Sequence, residues 1–179
     1  MCETELCSLD MLINAKKSAC IRVGPRYNIT CSSIVVGNQY LHWVDTVRYL
    51  GVFFVSSRKL KCSLDHAKRS FYRSVNAVFG KVGRLASEDV VLHLVDSKCM
   101  PILLYAVEVC PLSQSDIRSL DFVIFRFLMK LFKTNNKDII IDCCSFFNFK
   151  LPSERIHNRK TKFDSTFCNL RSYREMLMI

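Results

Sequence analysis

The spacing of apolar residues switches from strand-like to helical in the first half of this chain, and that switch limits the folds open to it. Between residues 18 and 56 apolar side chains alternate or gather in β-branched and aromatic runs, and from residue 63 onward they recur at helical spacing. Alternation puts successive side chains on opposite faces of a strand, whereas the longer period collects them on one side of a helix. The order predicts an α+β protein, a small antiparallel β portion followed by a mainly α-helical bundle.

Three stretches carry the β portion. "SACIRVGPR" (18–26) alternates Ala19, Ile21 and Val23 against Ser18, Cys20 and Arg22 until Gly24-Pro25 breaks it. "SSIVVGNQYLHWV" and "DTVRYLGVFFVS" follow; Gly37-Asn38 suits a tight hairpin turn and Asp45-Thr46 a sharp corner. Ahead of them, Leu6, Leu9, Leu12 and Ile13 predict a short helix that Asn14 stops. Within "RYLGVFF" (48–54) the pattern reads as a strand with Gly51 in its middle. Glycine weakens a strand and so marks a bulge or a close backbone approach. A sheet of so few strands requires helices, from this chain or another source, to cover its faces.

The helical portion is easier to lay out. At about 100° per residue, Leu64, Ala67, Phe71, Val75, Val78, Phe79 and Val82 share one helix face, and Arg69, Arg73, Lys81 and Arg84 share the opposite one. Ser87 is placed to cap a helix reaching about Lys98, with Glu88-Asp89 stabilising its first turn. Pro101 suits the first position of another helix. Ser113 or Ser115 caps a third carrying Ile117, Leu120, Ile124, Phe127, Leu128 and Leu131, and Pro152 starts a last one, "PSERIHNRKTKF".

Charge and cysteine usage narrow the function. Lys+Arg number 26 against 16 Asp+Glu, a formal charge of +10 that favours nucleic acid, an acidic partner or an anionic membrane surface. The ten cysteines include no Cys-x-x-Cys pair, and the four histidines are scattered, so zinc has a weak case and the cysteines read as small core residues. The first residues do not read as a secretory leader, so reduced thiols in the cytoplasm or nucleus are expected. The longest strongly apolar run, "PILLYAV" (101–107), is far below the ~20 residues a bilayer requires, so no membrane association by a spanning helix is expected. No Gly-rich phosphate loop, Gly-x-Ser-x-Gly elbow, His-Glu-x-x-His or adjacent aspartate pair occurs.

Five blocks in order then bring a family into view. "LDMLINAKKSACIRVGPR" (9–26), "LHWVDTVRYLGVFFV" (41–55), "KCSLDHAKRSFYRSVNAVFGKVGRLASEDVV" (61–91), "KCMPILLYAVEVCPL" (98–112) and "LDFVIFRFLMKLFKT" (120–134) resemble the reverse transcriptases of non-LTR retrotransposons, the jockey-like long interspersed elements. The resemblance implies that residues 1–60 are the C-terminal remnant of a polymerase palm. Residues 61–150 would be the helical thumb and 151–179 the start of a C-terminal linker helix. "INAKKS" looks like motif D, in which Lys17, or less well Lys16, matches the lysine that serves as a general acid toward pyrophosphate. "RYLGV" looks like motif E, the primer grip, with Tyr49, Leu50, Gly51 and Val52 laid against the primer.

Arg69, Arg73, Lys81 and Arg84 are then candidates for phosphate contacts on the first thumb helix, and Arg159, Lys160 and Lys162 form a weaker basic cluster. The alternatives are a solvated turn lysine, a buried strand with a bulge, and a solvated helix face. In the intact family enzyme, carboxylates ahead of these motifs hold Mg²⁺ for nucleotidyl transfer. The resemblance therefore implies a fragment of an RNA-directed DNA polymerase that is inactive alone, needs no cofactor of its own, and keeps elements that hold an RNA or DNA primer-template. Asp121-Phe122 does not replace the lost aspartates, because the apolar spacing around it is helical. A non-catalytic nucleic-acid-binding module and a helical protein-interaction domain are the competing readings.

Overall fold

Thr46–Tyr49 (β4) and Val52–Val55 (β5) form an antiparallel hairpin in which Tyr49 pairs with Val52, leaving Leu50 and Gly51 as a two-residue turn. Both turn residues have positive φ, 46° and 81°. That pair of angles is the mark of a type I′ turn, whose twist matches that of the strands it joins. Gly51 is thus a turn residue and not the centre of a strand, as the apolar run around it had suggested. The run misleads because the turn's first position is held by leucine where Asn or Asp is usual.

The computed structural model describes residues 5–6, 8–36, 39–83 and 85–176, the last nine of these by backbone path only. It divides into two compact units, Met1–Ser63 and Leu64–Ile179. The overall class is α+β.

The first unit holds two three-stranded sheets. One joins β4 and β5 to Lys61–Ser63 (β6), which pairs antiparallel with β5. The other has the order β1-β3-β2, built from Ala19–Cys20 (β1), Ile34–Val36 (β2) and Gln39–Trp43 (β3). β2 and β3 pair antiparallel with Val36 opposite Gln39, and the Gly37-Asn38 turn expected between them lies outside the described residues. β1 pairs with β3 in parallel, so the β portion is not antiparallel throughout. A parallel partner needs a long crossover, and the residues between Cys20 and Gln39 provide it. The strand expected over 18–26 is correspondingly short; beyond it Val23 makes a single bridge to Ser57, and Gly24 turns the chain at φ 136°. Ser56 ties the pieces together, its amide donating to Asp45 O at 2.7 Å and its hydroxyl to Arg22 O at 3.0 Å.

The opening helix is also shorter than its periodicity suggests. Glu5, Leu6 and Ser8 are helical, Asp10 has φ 56°, and the Met11 amide closes the turn onto Leu6 O at 2.9 Å. Leu12, 89% exposed, packs against nothing that would prolong the helix. A short helix without a packed face does not outlast its nucleation cost.

In the second unit Asp65–Val82 (α1) buries Phe71 and Val75 and leaves Arg69, Arg73 and Lys81 exposed, as the periodicity predicts. The next helix, α2, consists of Glu88–Leu94, a π-helical turn over Val95–Cys99, and Met100–Leu103. Pro101 does not open a separate helix. It sits just past the π-turn, where Met100 N donates to Val95 O in the wide i→i+5 pattern. Proline lacks the amide that an α-helix interior uses and crowds the carbonyl four residues back, and a π-turn relieves both problems without ending the helix.

Gln114–Phe132 (α3) starts at a capping box: Ser113 Oγ accepts from Asp116 N at 3.2 Å, and Asp116 Oδ2 accepts from Ser113 N at 2.9 Å. Its buried face is Leu120, Val123, Ile124, Phe127, Leu128 and Leu131. Lys137–Phe146 (α4), not anticipated from the sequence, is capped by Asn136, whose side-chain oxygen accepts from Asp138 N at 2.9 Å. Pro152–Met176 (α5) docks through buried Pro152 and Ile156. Asp121 lies within α3 and its carboxylate accepts from Ser153 N at 2.9 Å, capping α5.

Each fully buried Leu, Ile or Phe of this core stabilises the unit by roughly 1.5–3 kcal/mol. In the first unit Cys62 is the buried hydrophobic residue among those described, while Ile34, Val35, Tyr40 and Trp43 stand exposed on the β1-β3-β2 sheet.

Burial pushes the Cys144 thiol up to about 11, with the nearby Cys143 and Glu154 adding to the effect. The folded state therefore prefers the protonated thiol. That contribution is fully present below the ordinary thiol pKa and is lost as pH rises toward 11. Allowing for partial solvent screening, stability should fall by about 1 kcal/mol between pH 8.5 and 10.5 through this group. Urea unfolding of wild type and Cys144→Ala should show a shallower alkaline decline in the variant; parallel curves would refute the assignment.

Candidate nucleic-acid interface

Two solvent-facing features collect the residues singled out in the sequence. The first is the tip of the β4–β5 hairpin. Tyr49 is 64% exposed and Leu50 73%, so a large apolar surface projects from a turn that most hairpins fill with small polar residues. Leucine at φ 46° is itself strained, since a Cβ in the left-handed region crowds the following carbonyl. Val52 begins β5 and is half-buried. Behind the tip, Arg48 lies 5.7 Å from the ring centroid of Phe53, its cross-strand partner.

The second feature is the outer face of α1. Arg69 and Arg73 are one turn apart, Lys81 lies two turns further on, and all three are exposed. Arg84 lies outside the described residues. The Arg69 Nε donates to the backbone oxygen of Asp65, one turn earlier on α1, at 3.3 Å. Tyr72, on the same helix, has its phenol pKa raised by burial, with the charge of Arg126 working against that rise.

Lys17 belongs to neither feature. It ends an exposed turn organised by Asn14, whose side-chain oxygen accepts from the amides of Lys16 and Lys17 at 3.1 and 3.2 Å. Of the weaker basic cluster, Arg159 has a structural contact, donating to Leu104 O at 2.8 Å, while Lys160 and Lys162 are exposed. The neighbouring Arg155 pairs with Asp96 and lies 5.7 Å from the Phe149 ring centroid, so the first turns of α5 spend their cations on holding α5 to α2.

Sequence reasoning passed over cations on α3. Arg126 lies 5.9 Å from the ring centroid of Phe122, and Lys130 Nζ lies 5.2 Å from that of Phe79 on α1. The four-residue spacing Arg118, Phe122, Arg126, Lys130 was the available signal, hidden by attention to the apolar side of the same helix.

Among the described residues no three His, Cys, Asp or Glu side chains come together as metal ligands, so the Mg²⁺ that the resemblance associates with the intact enzyme does not fit this donor set. Among the same residues no helix is long and apolar enough to cross a membrane, and no described cysteine is in a disulfide. No family model, curated protein or solved structure matches the chain.

The turn geometry gives a direct test. Leu50→Asn should stabilise the hairpin by about 1 kcal/mol, because asparagine tolerates the left-handed region, and Gly51→Ala should destabilise it by about 1–2 kcal/mol. Amide hydrogen exchange of β4 and β5 reads both; equal protection in wild type and the two variants would contradict the type I′ assignment.

Proposed function

We propose that these residues are the C-terminal palm segment and the thumb of a reverse transcriptase of the non-LTR, jockey-like retrotransposon type. They hold a primer-template duplex and do not themselves polymerise. The observation that carries this reading is the exposure of the two places the resemblance assigns to nucleic acid, Tyr49, Leu50 and Gly51 at the hairpin tip and the Arg69–Arg73–Lys81 face of α1.

The chemistry of holding a duplex follows from those groups. A hairpin tip brings backbone close to a sugar-phosphate strand, and the positive φ at Gly51 lets it turn there without a Cβ in the way. Cations on one face of a rigid helix neutralise successive phosphates, which gives binding that is indifferent to base sequence and steep in salt. Lys17 adds a positive charge on an exposed turn, a remnant of a general-acid position. Nucleotidyl transfer requires carboxylates to seat its two metal ions, and these 179 residues contain no adjacent aspartate pair. Reduced thiols fit a cytoplasmic or nuclear setting.

A second reading, a helical protein-interaction domain, draws on α4, where Ile139, Ile141 and Phe146 are exposed. Salt separates the two. The purified chain should bind a labelled primer-template duplex with an affinity that falls as salt rises, and Arg69→Gln/Arg73→Gln should reduce the log–log slope by roughly 2, about 0.9 per lost phosphate contact. Absent or salt-independent binding would reject the duplex-holding role. No primer extension is expected with Mg²⁺ and deoxynucleotides; extension by the purified chain would overturn the claim that it is inactive alone.

A further inference from the structure

Helix α3 presents a ridge that the duplex-holding role does not use. Arg118, Phe122, Arg126 and Lys130 recur at four-residue intervals and all four are exposed. Four residues advance a helix by about 6 Å and turn it only about 40° past a full circle, so the four side chains form one slowly winding line. The opposite side of the same turns supplies the core through Leu120, Ile124, Leu128 and Leu131. That apolar side, and not the ridge, builds the core.

Its composition is unusual for a merely solvated face. A soluble helix commonly offsets surface cations with acids four residues away. The residues four before and four after Arg118, Arg126 and Lys130 are Gln114, Phe122, Lys130, Arg126 and Thr134, and none is acidic. Asp121, three residues after Arg118, has a carboxylate oxygen engaged by the Ser153 amide. Phe122 is 56% exposed and sits between Arg118 and Arg126, the latter 5.9 Å from its ring centroid. At the far end Lys130 lies over Phe79, and Phe79 meets Phe127 edge-on at 5.8 Å, so the ridge runs alongside α1. There α1 contributes Tyr72, 36% exposed.

We propose that this ridge is a track for single-stranded nucleic acid, with Arg118, Arg126 and Lys130 on successive phosphates and Phe122 and Tyr72 offering rings to unstacked bases. The inference rests on the nucleic-acid reading above and adds a second surface to it. Regularly spaced cations with an exposed ring between them complement a strand that alternates phosphate and base. A paired duplex has no free base faces for Phe122, and an acidic polypeptide would use the cations but leave the rings idle.

The full chain, with labelled oligothymidylate as probe, tests this by anisotropy across a salt series. Arg118→Gln/Arg126→Gln should lower the log–log salt slope by roughly 1.4, about 0.7 per phosphate contact on a single strand, and Arg118→Lys/Arg126→Lys should restore it. Phe122→Ala should weaken binding by roughly 5- to 100-fold with the slope unchanged. Thermal melts matching wild type show that the variants fold. Wild-type slope in the Gln pair, or wild-type affinity in Phe122→Ala, overturns the track. Displacement of the strand by oligoglutamate with no effect of Phe122→Ala points to an acidic protein partner and also overturns it. The duplex arm with Arg69→Gln/Arg73→Gln fails or succeeds separately, so loss of the duplex-holding role and loss of the track are told apart.

Discussion

Pro101 cannot supply an amide to the helix that contains it, and the second unit is organised around how α2 absorbs that deficit. The π-turn Val95–Cys99 widens the backbone one turn before the proline and lets the helix continue to Leu103. Val95, Cys99, Met100, Leu103 and Leu104 are all buried, and α1 packs against this stretch. Had the helix broken at Cys99, as a proline ordinarily requires, these side chains would lose their common alignment. Arg155 and Arg159 would also lose the Asp96 carboxylate and Leu104 carbonyl that fasten α5.

Because that core is wholly apolar, charge can be displayed elsewhere without a burial penalty. Among the described residues no polar or charged residue is buried. The cations of α1 and α3 stand on the faces that the core leaves to solvent, while those at the start of α5 are consumed in fastening it. The same formal charge thus serves two ends: Arg155 and Arg159 fasten α5, whereas Arg118, Arg126 and Lys130 of α3 have no acid four residues away.

The first unit has a different balance. Among the described residues, Ser56 and the Val23–Ser57 bridge tie its two three-stranded sheets together, and Cys62 is the one hydrophobic residue that is buried. Three strands are near the lower limit for independent stability. In that setting a strained leucine at the tip of the β4–β5 hairpin stands out, because asparagine at the same place would relieve the strain.

Much of this was legible in the amino-acid order. The switch from two-residue to helical periodicity determined the α+β class. The apolar arc of α1 determined which of its faces is basic, and Ser113 and Pro152 marked where α3 and α5 begin, because amphipathicity and capping act within a few residues of themselves. Only tertiary structure decided that Gly51 lies in a turn, that β1 runs parallel to β3, and that the helix passes through Pro101. It alone also aligned the cations of α3 with the aromatic rings of α1. Each of these depends on a partner distant in sequence or on a backbone state that side-chain type does not dictate. A pattern of residue types records which way each side chain faces on its own element, but not what it will find there.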